Sequence, residues 1–122
     1  MSTRLRRPER YRVHELAFDR TDRGTSPSCS CGWPAAGRPY PDEGDAHYAG
    51  AEHLGRMAYR RLALRGVLPI DDRALRPDTI DAAELWSALA GRRHLLGDEA
   101  RAVLDIVTEC WPHRTGSGGG RC

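Results

Sequence analysis

Two cysteines one residue apart, Cys29-Ser30-Cys31, are followed by Gly32-Trp33 and then by His47 and His53. Thiolates and imidazoles are the donors Zn²⁺ takes most readily, and four of them complete the tetrahedral shell of a structural site. Cysteines at i and i+2 of an extended strand project to one face, so both sulfurs can converge on one ion. A disulfide between them would be strained, because their alpha carbons in an extended chain lie near the upper limit of disulfide reach. The order C-x-C-x15-H-x5-H therefore points to metal chemistry, with Cys29, Cys31, His47 and His53 as ligands and zinc as the ion. His14 competes for the fourth place. It shares a strand face with Leu16 and Phe18, so His14, Cys29, Cys31 and His53 form the alternative set. On a regular helix His47 and His53 stand about 120° apart. Both can ligate only where His47 precedes the helix or Gly50 lets it distort.

Other chemistry has fewer candidates. The chain has 122 residues, with 19 arginines and no lysine, asparagine or glutamine. Without lysine there is no Schiff-base amine and no G-K-[ST] phosphate loop. Without Asn or Gln there is no bidentate amide reader of adenine. Neither G-x-S-x-G nor H-E-x-x-H occurs. Asp71-Asp72 is a carboxylate pair, but it adjoins prolines. Glu52 beside His53 is the one candidate general base for a zinc hydrolase, the third-ranked reading. Cys110 and His113 have C-x-x-H spacing, but Cys110 falls on an apolar helical stripe and is expected to pack. The glycine-rich tail lacks the preceding strand and following helix that a phosphate loop needs.

The elements that must position these residues follow from periodicity. Residues 11–18 alternate as a strand, 19–28 read as loop, and 28–33 can return as a second strand, giving a hairpin. Three prolines and two glycines exclude regular structure over 34–44. Asp45 is a candidate N-cap for a helix over 45–65, with Leu54, Met57, Ala58 and Leu62 on its apolar arc, Glu52, Arg56 and Arg60 opposite, and Gly66 as its stop. Val67, Leu68 and Ile70 are expected to anchor a connector. Helices are predicted over 79–90, started by Asp81 and Glu84, and over 98–111, whose seam includes Trp86, Leu89, Val103, Leu104 and Val107. The fold class expected is small α+β: an N-terminal β-hairpin and helix, then an antiparallel two-helix pair. The domains expected are a basic arm over 1–10, a hairpin–helix zinc module over 11–66, a helical hairpin over 67–112 and a disordered tail over 113–122. Leu, Ile, Val and Phe make up 20 residues of the chain. A core that thin gains from a metal or a partner.

Residues 11–58 resemble the zinc finger that carries two Cys on a hairpin and two His on a helix. They also resemble a group of small proteins of high-GC bacteria with a C-x-C-G-W turn ahead of a His-bearing helix. The resemblance implies metal ligands at Cys29, Cys31, His47 and His53. It departs from the finger in its Cys spacing, one residue instead of two to four, and in a helix that runs on past His53.

Charge bears on partners. Net charge is +2, with +3 over residues 1–24 and −4 over residues 69–112. Such a footprint is small for nucleic acid. Nucleic acid is still the leading partner class, through phosphate contacts by Arg4, Arg6 and Arg7 on the arm and Arg56 and Arg60 on the first helix. The expectation is a non-catalytic, cytoplasmic, zinc-binding module for binding or regulation. The alternative is a metal-free module whose acidic helical pair docks another protein. No apolar run approaches the ~20 residues of a membrane span, and thiols without a signal peptide favour a reducing compartment.

Overall fold

The computed structural model describes residues 14–34 and 37–111, with the backbone alone at Cys110. The basic arm with Arg4, Arg6 and Arg7, strand positions 11–13 and the tail after Trp111 lie outside the described residues. The chain forms a small α+β protein. The strands are β1 (Leu16–Thr21) and β2 (Gly24–Cys29); the helices are α1 (Glu43–Leu64), α2 (Asp72–Leu75), α3 (Ala82–Ala90) and α4 (Asp98–Cys110). Two single 3-10 turns, Pro77–Thr79 and Arg93–Leu95, punctuate the helical part. Two compact units divide at Ala46 and His47.

In the first unit, β1 and β2 pair antiparallel from Leu16↔Cys29 to Thr21↔Gly24. The return strand begins four residues earlier than expected. Pro27 and the polar run Thr25-Ser26 suggested a loop, yet a proline is tolerated in an edge strand whose missing donor faces no partner. Thr25, Pro27 and Cys29 are buried, at period two, on one face. Gly24 has φ +132°, and a Cβ there would collide with the Tyr40 carbonyl. That close approach allows the paired hydrogen bonds Thr25 N–H to Tyr40 O, 2.9 Å, and Tyr40 N–H to Thr25 O, 2.8 Å.

Helix α1 starts at Glu43, two residues before the expected first residue. Asp42 caps it instead of Asp45: its Oδ1 accepts from Gly44 N–H at 2.8 Å, and its carbonyl accepts from the Asp45 and Ala46 amides. A helix running from 43 holds both 47 and 53 in regular turns, as the expected start at 45 also would.

The core of the second unit is built from Tyr48, Tyr59, Leu62, Leu68, Ala74, Ile80, Leu85, Trp86, Leu89, Leu96, Leu104 and Val107. The expected α3–α4 seam is present: Trp86, Leu89, Leu104 and Val107 are buried, and Val103 packs at its edge. Asp81 caps α3, accepting from the Ala83 and Glu84 amides at 3.1 and 3.4 Å. Ile70, expected as an anchor, is 56% exposed, while Leu68 fills that role. Tyr59, which helical spacing sets near the polar arc of Glu52, Arg56 and Arg60, is also buried. Leu104→Ala is expected to destabilise the protein by about 2–5 kcal/mol through lost burial and a residual cavity. Chemical denaturation checks this, and an unchanged midpoint would put Leu104 outside the core.

Gly55 lies where α1 meets Trp86. A Cβ there would stand 2.6 Å from Cη2 and 2.7 Å from Cζ3 of the indole. The indole is buried, and its Nε1–H donates to the Tyr48 hydroxyl at 3.0 Å. The ring is therefore held at both ends. Gly55→Ala gains about 1 kcal/mol of helix propensity but forces overpacking of about 1–3 kcal/mol. The expected result is a lower melting temperature with disturbed tryptophan fluorescence. A stabilised variant would show that the indole yields freely.

Candidate metal centre

The first unit brings three donors together on its hairpin. His14 lies two residues before β1, and Cys29 is the last residue of β2, paired with Leu16. The Cys29 sulfur and His14 Nδ1 are 3.4 Å apart. Cys31 follows in a tight turn closed by Gly32 N–H donating to Cys29 O at 2.9 Å. Cys29 N–H donates back to Trp33 O at 2.8 Å. The two sulfurs thus converge through a turn and not through the pleat of one strand. Gly32 has φ +102°, a left-handed value that suits glycine. This is the physical content of the C-x-C-G pattern: the glycine lets the chain fold back so that both thiols stay on the inner side.

Helix α1 supplies the fourth donor, His53, which is 4% exposed. Its Nδ1 is a buried nitrogen outside the hydrogen-bond network, while the residue makes other interactions. The ligand atoms of His14, Cys29, Cys31 and His53 all lie within 4.8 Å of one another. Among the described residues this is the one group of three or more such donors. Metal–ligand bonds of about 2.0–2.3 Å at tetrahedral angles make donor–donor edges of about 3.3–3.8 Å. The Cys29–His14 separation falls inside that range, and the 4.8 Å ceiling exceeds it by one modest side-chain adjustment. The group could hold a metal ion, and two thiols with two imidazoles fit zinc by donor type.

His47 is exposed and stands outside the group, and His14 occupies the place expected for it. The reason is that α1 stays regular through His47, which leaves it about 120° around the helix from His53. Sequence periodicity already placed His14 on the strand face where this donor was needed. What decides against His47 is that α1 stays regular through it.

Several groups set the electrostatics around Cys29. Burial pushes the thiol above its ordinary range, the Cys31 backbone N–H that hydrogen bonds it pulls it back, the adjacent Cys31 thiol raises it again, and the Ser30 side chain lowers it slightly. Taking up a metal therefore means displacing a tightly held proton, so metal uptake weakens as the solution is acidified.

No family model, curated protein or solved structure matches the chain. The function has to be read from the residues themselves.

The remaining candidates are placed by their contacts. Asp71 caps α2, accepting from the Arg73 and Ala74 amides at 3.0 and 3.1 Å, and those bonds with Arg73 nearby hold its carboxyl below the usual range. Asp72 opens the helix behind it, so the Asp71-Asp72 pair is a helix start. Glu52 is bound by the guanidinium of Arg56. Arg56, expected as an exposed phosphate contact, is instead 8% exposed. Its Nη1 donates to Pro77 O at 2.6 Å and Ile80 O at 2.5 Å, and Nε donates to Glu52 at 3.0 Å. Arg60 is exposed, as expected. No helix among the described residues is long and apolar enough to cross a membrane.

Proposed function

We propose that the protein is a small zinc-binding module that works by binding or regulation and not by catalysis. The observation that carries this is the His14, Cys29, Cys31, His53 cluster, with all four donor atoms inside 4.8 Å. Four protein donors fill a tetrahedral shell, and a catalytic zinc needs a position left for water or substrate. The neighbouring carboxylate that could serve as a base, Glu52, is paired with Arg56. When bound, the ion supplies a fixed junction for its ligands and folding free energy that a thin core lacks. His14 and Cys29 hold one edge of the site, the Cys29–Gly32 turn sets the second sulfur, and the buried His53 closes it.

Nucleic acid remains a partner class within this proposal, carried by fewer groups than the sequence suggested. Arg60 is available, while Arg56 is committed inside the fold.

Metal analysis of the full chain tests the reading. Native mass spectrometry of protein purified under reducing conditions is expected to show one zinc per chain, lost on treatment with a strong chelator. Melting temperature should fall with it. A chain that carries no metal after zinc reconstitution, with an unchanged melting curve in chelator, would overturn the zinc reading in favour of the metal-free interaction module.

A further inference from the structure

We propose that the centre is a peroxide-responsive switch, in which Cys29 and Cys31 close to a disulfide and let the metal go. The inference rests on the metal reading above and concerns how that same site is regulated.

Three observations point to it. Both sulfur donors belong to one four-residue turn, Cys29 to Gly32, closed by its own hydrogen bond. In such a turn the i and i+2 alpha carbons approach to about 5–6 Å, inside the range a disulfide spans, whereas an extended chain holds them near its limit. The bond can therefore form without moving another element. The two thiols also differ in access: Cys29 is 7% exposed and Cys31 is half-buried. An oxidant meets Cys31 first, and Cys29 stands within 4.8 Å to resolve it. Finally, the turn has room to relax. A Cβ built on Gly32 would meet nothing within 4 Å, so the backbone there is not wedged by neighbours.

The chemistry balances with hydrogen peroxide as the oxidant. The Cys31 thiolate attacks the peroxide oxygen, giving a sulfenic acid and releasing hydroxide, which takes up a proton to become water. The Cys29 thiolate then attacks the Cys31 sulfur, forming the S–S bond and expelling the sulfenic oxygen as hydroxide, which a second proton converts to water. Two thiolates lose two electrons, and one peroxide is reduced to two waters. Both anionic donors disappear. His14 and His53 alone leave half a coordination shell, which holds zinc poorly. A disulfide across so short a loop is strained and hence easily reduced, so a dithiol returns the site to its metal-binding state.

The test uses the full chain with Cys110→Ser and Cys122→Ser, which leaves Cys29 and Cys31 as its thiols. Metal stoichiometry of the reduced protein is measured first, and absence of metal at that stage overturns the zinc reading itself. The loaded protein is then titrated with hydrogen peroxide while a chromophoric chelator reports released zinc. About one peroxide per zinc is expected, with bound metal falling roughly tenfold or more. The intact mass should drop by two hydrogens, a Cys29–Cys31 link should appear on peptide mapping, and dithiothreitol should restore metal binding. Metal that stays bound when peroxide is in excess overturns the switch and leaves the zinc reading standing. So does release accompanied by sulfinic acid or by links between chains.

Discussion

Cys31→Ser is expected to lower metal content and thermal stability together. Cys31 sits in the turn that follows β2, and its sulfur is one of the two anionic donors in the cluster. Losing a group behind a ligand typically weakens metal affinity about 10–100-fold, and losing the ligand itself exceeds that. Ligand binding stabilises the folded state in proportion to the logarithm of saturation, so two decades of affinity are worth about 2.7 kcal/mol. Structural zinc in small domains contributes more, about 10–16 kcal/mol at pH 7 in finger peptides. The variant should therefore melt like the chelator-treated parent and respond no further to chelator. His14→Ala should follow the same course. His47→Ala should keep its zinc, because His47 is exposed on α1 outside the cluster. Equal zinc in Cys31→Ser and the parent would remove the site. Loss of zinc in His47→Ala, with His14→Ala unaffected, would exchange the two histidines and return the ligand set that helical periodicity disfavours.

The contrast between His14 and His47 shows how far the residues themselves could be read. Donor chemistry needs no structure: Cys29, Cys31 and His53 stand out by type and spacing. Choosing the fourth donor depended on whether α1 stays regular through His47 or distorts at Gly50. Asp42 and Asp45 are both acceptable caps by composition. The chain uses Asp42, whose Oδ1 reaches the Gly44 amide. Either cap leaves His47 inside the helix, and α1 runs unbroken through Gly50, so the 120° offset from His53 holds. The hairpin was legible as a hairpin, yet its register was not. Gly24 closes the turn by approaching the Tyr40 carbonyl, a contact between residues 16 apart that local patterns do not encode. The helical pair was legible from the apolar spacing of α4 and the Asp81 cap of α3, which are local signals; the start of α3 was not, for it falls at Ala82 after that cap and not at 79. Arg56 is the plainest miss. A charged residue opposite an apolar arc reads as solvated. What it does here depends on carbonyls more than twenty residues away.

Arg56→Ala is accordingly expected to destabilise the fold, by about 3–5 kcal/mol if it behaves as the loss of one partner from a buried ion pair. The guanidinium spans Glu52 on its own helix and the carbonyls of Pro77 and Ile80 in the segment ahead of α3. Without it Pro77 O keeps the Ile80 amide at 3.2 Å, but Ile80 O loses the side-chain donor that reaches it. A buried acceptor left unsatisfied costs about 1–3 kcal/mol. The Glu52 side chain is 27% exposed and regains water on that side, which places the expected value toward the lower end of the range. Arg56→Lys keeps the charge but not the planar fork that serves two carbonyls and a carboxylate at once, so it should recover only part of the loss. Arg60→Ala, on the exposed face of the same helix, should stay within about 0.5 kcal/mol of the parent. Denaturant midpoints of the three variants separate a buried clamp from a surface charge. Equal midpoints for Arg56→Ala and Arg60→Ala would return Arg56 to the surface, where it would again be free to contact a phosphate.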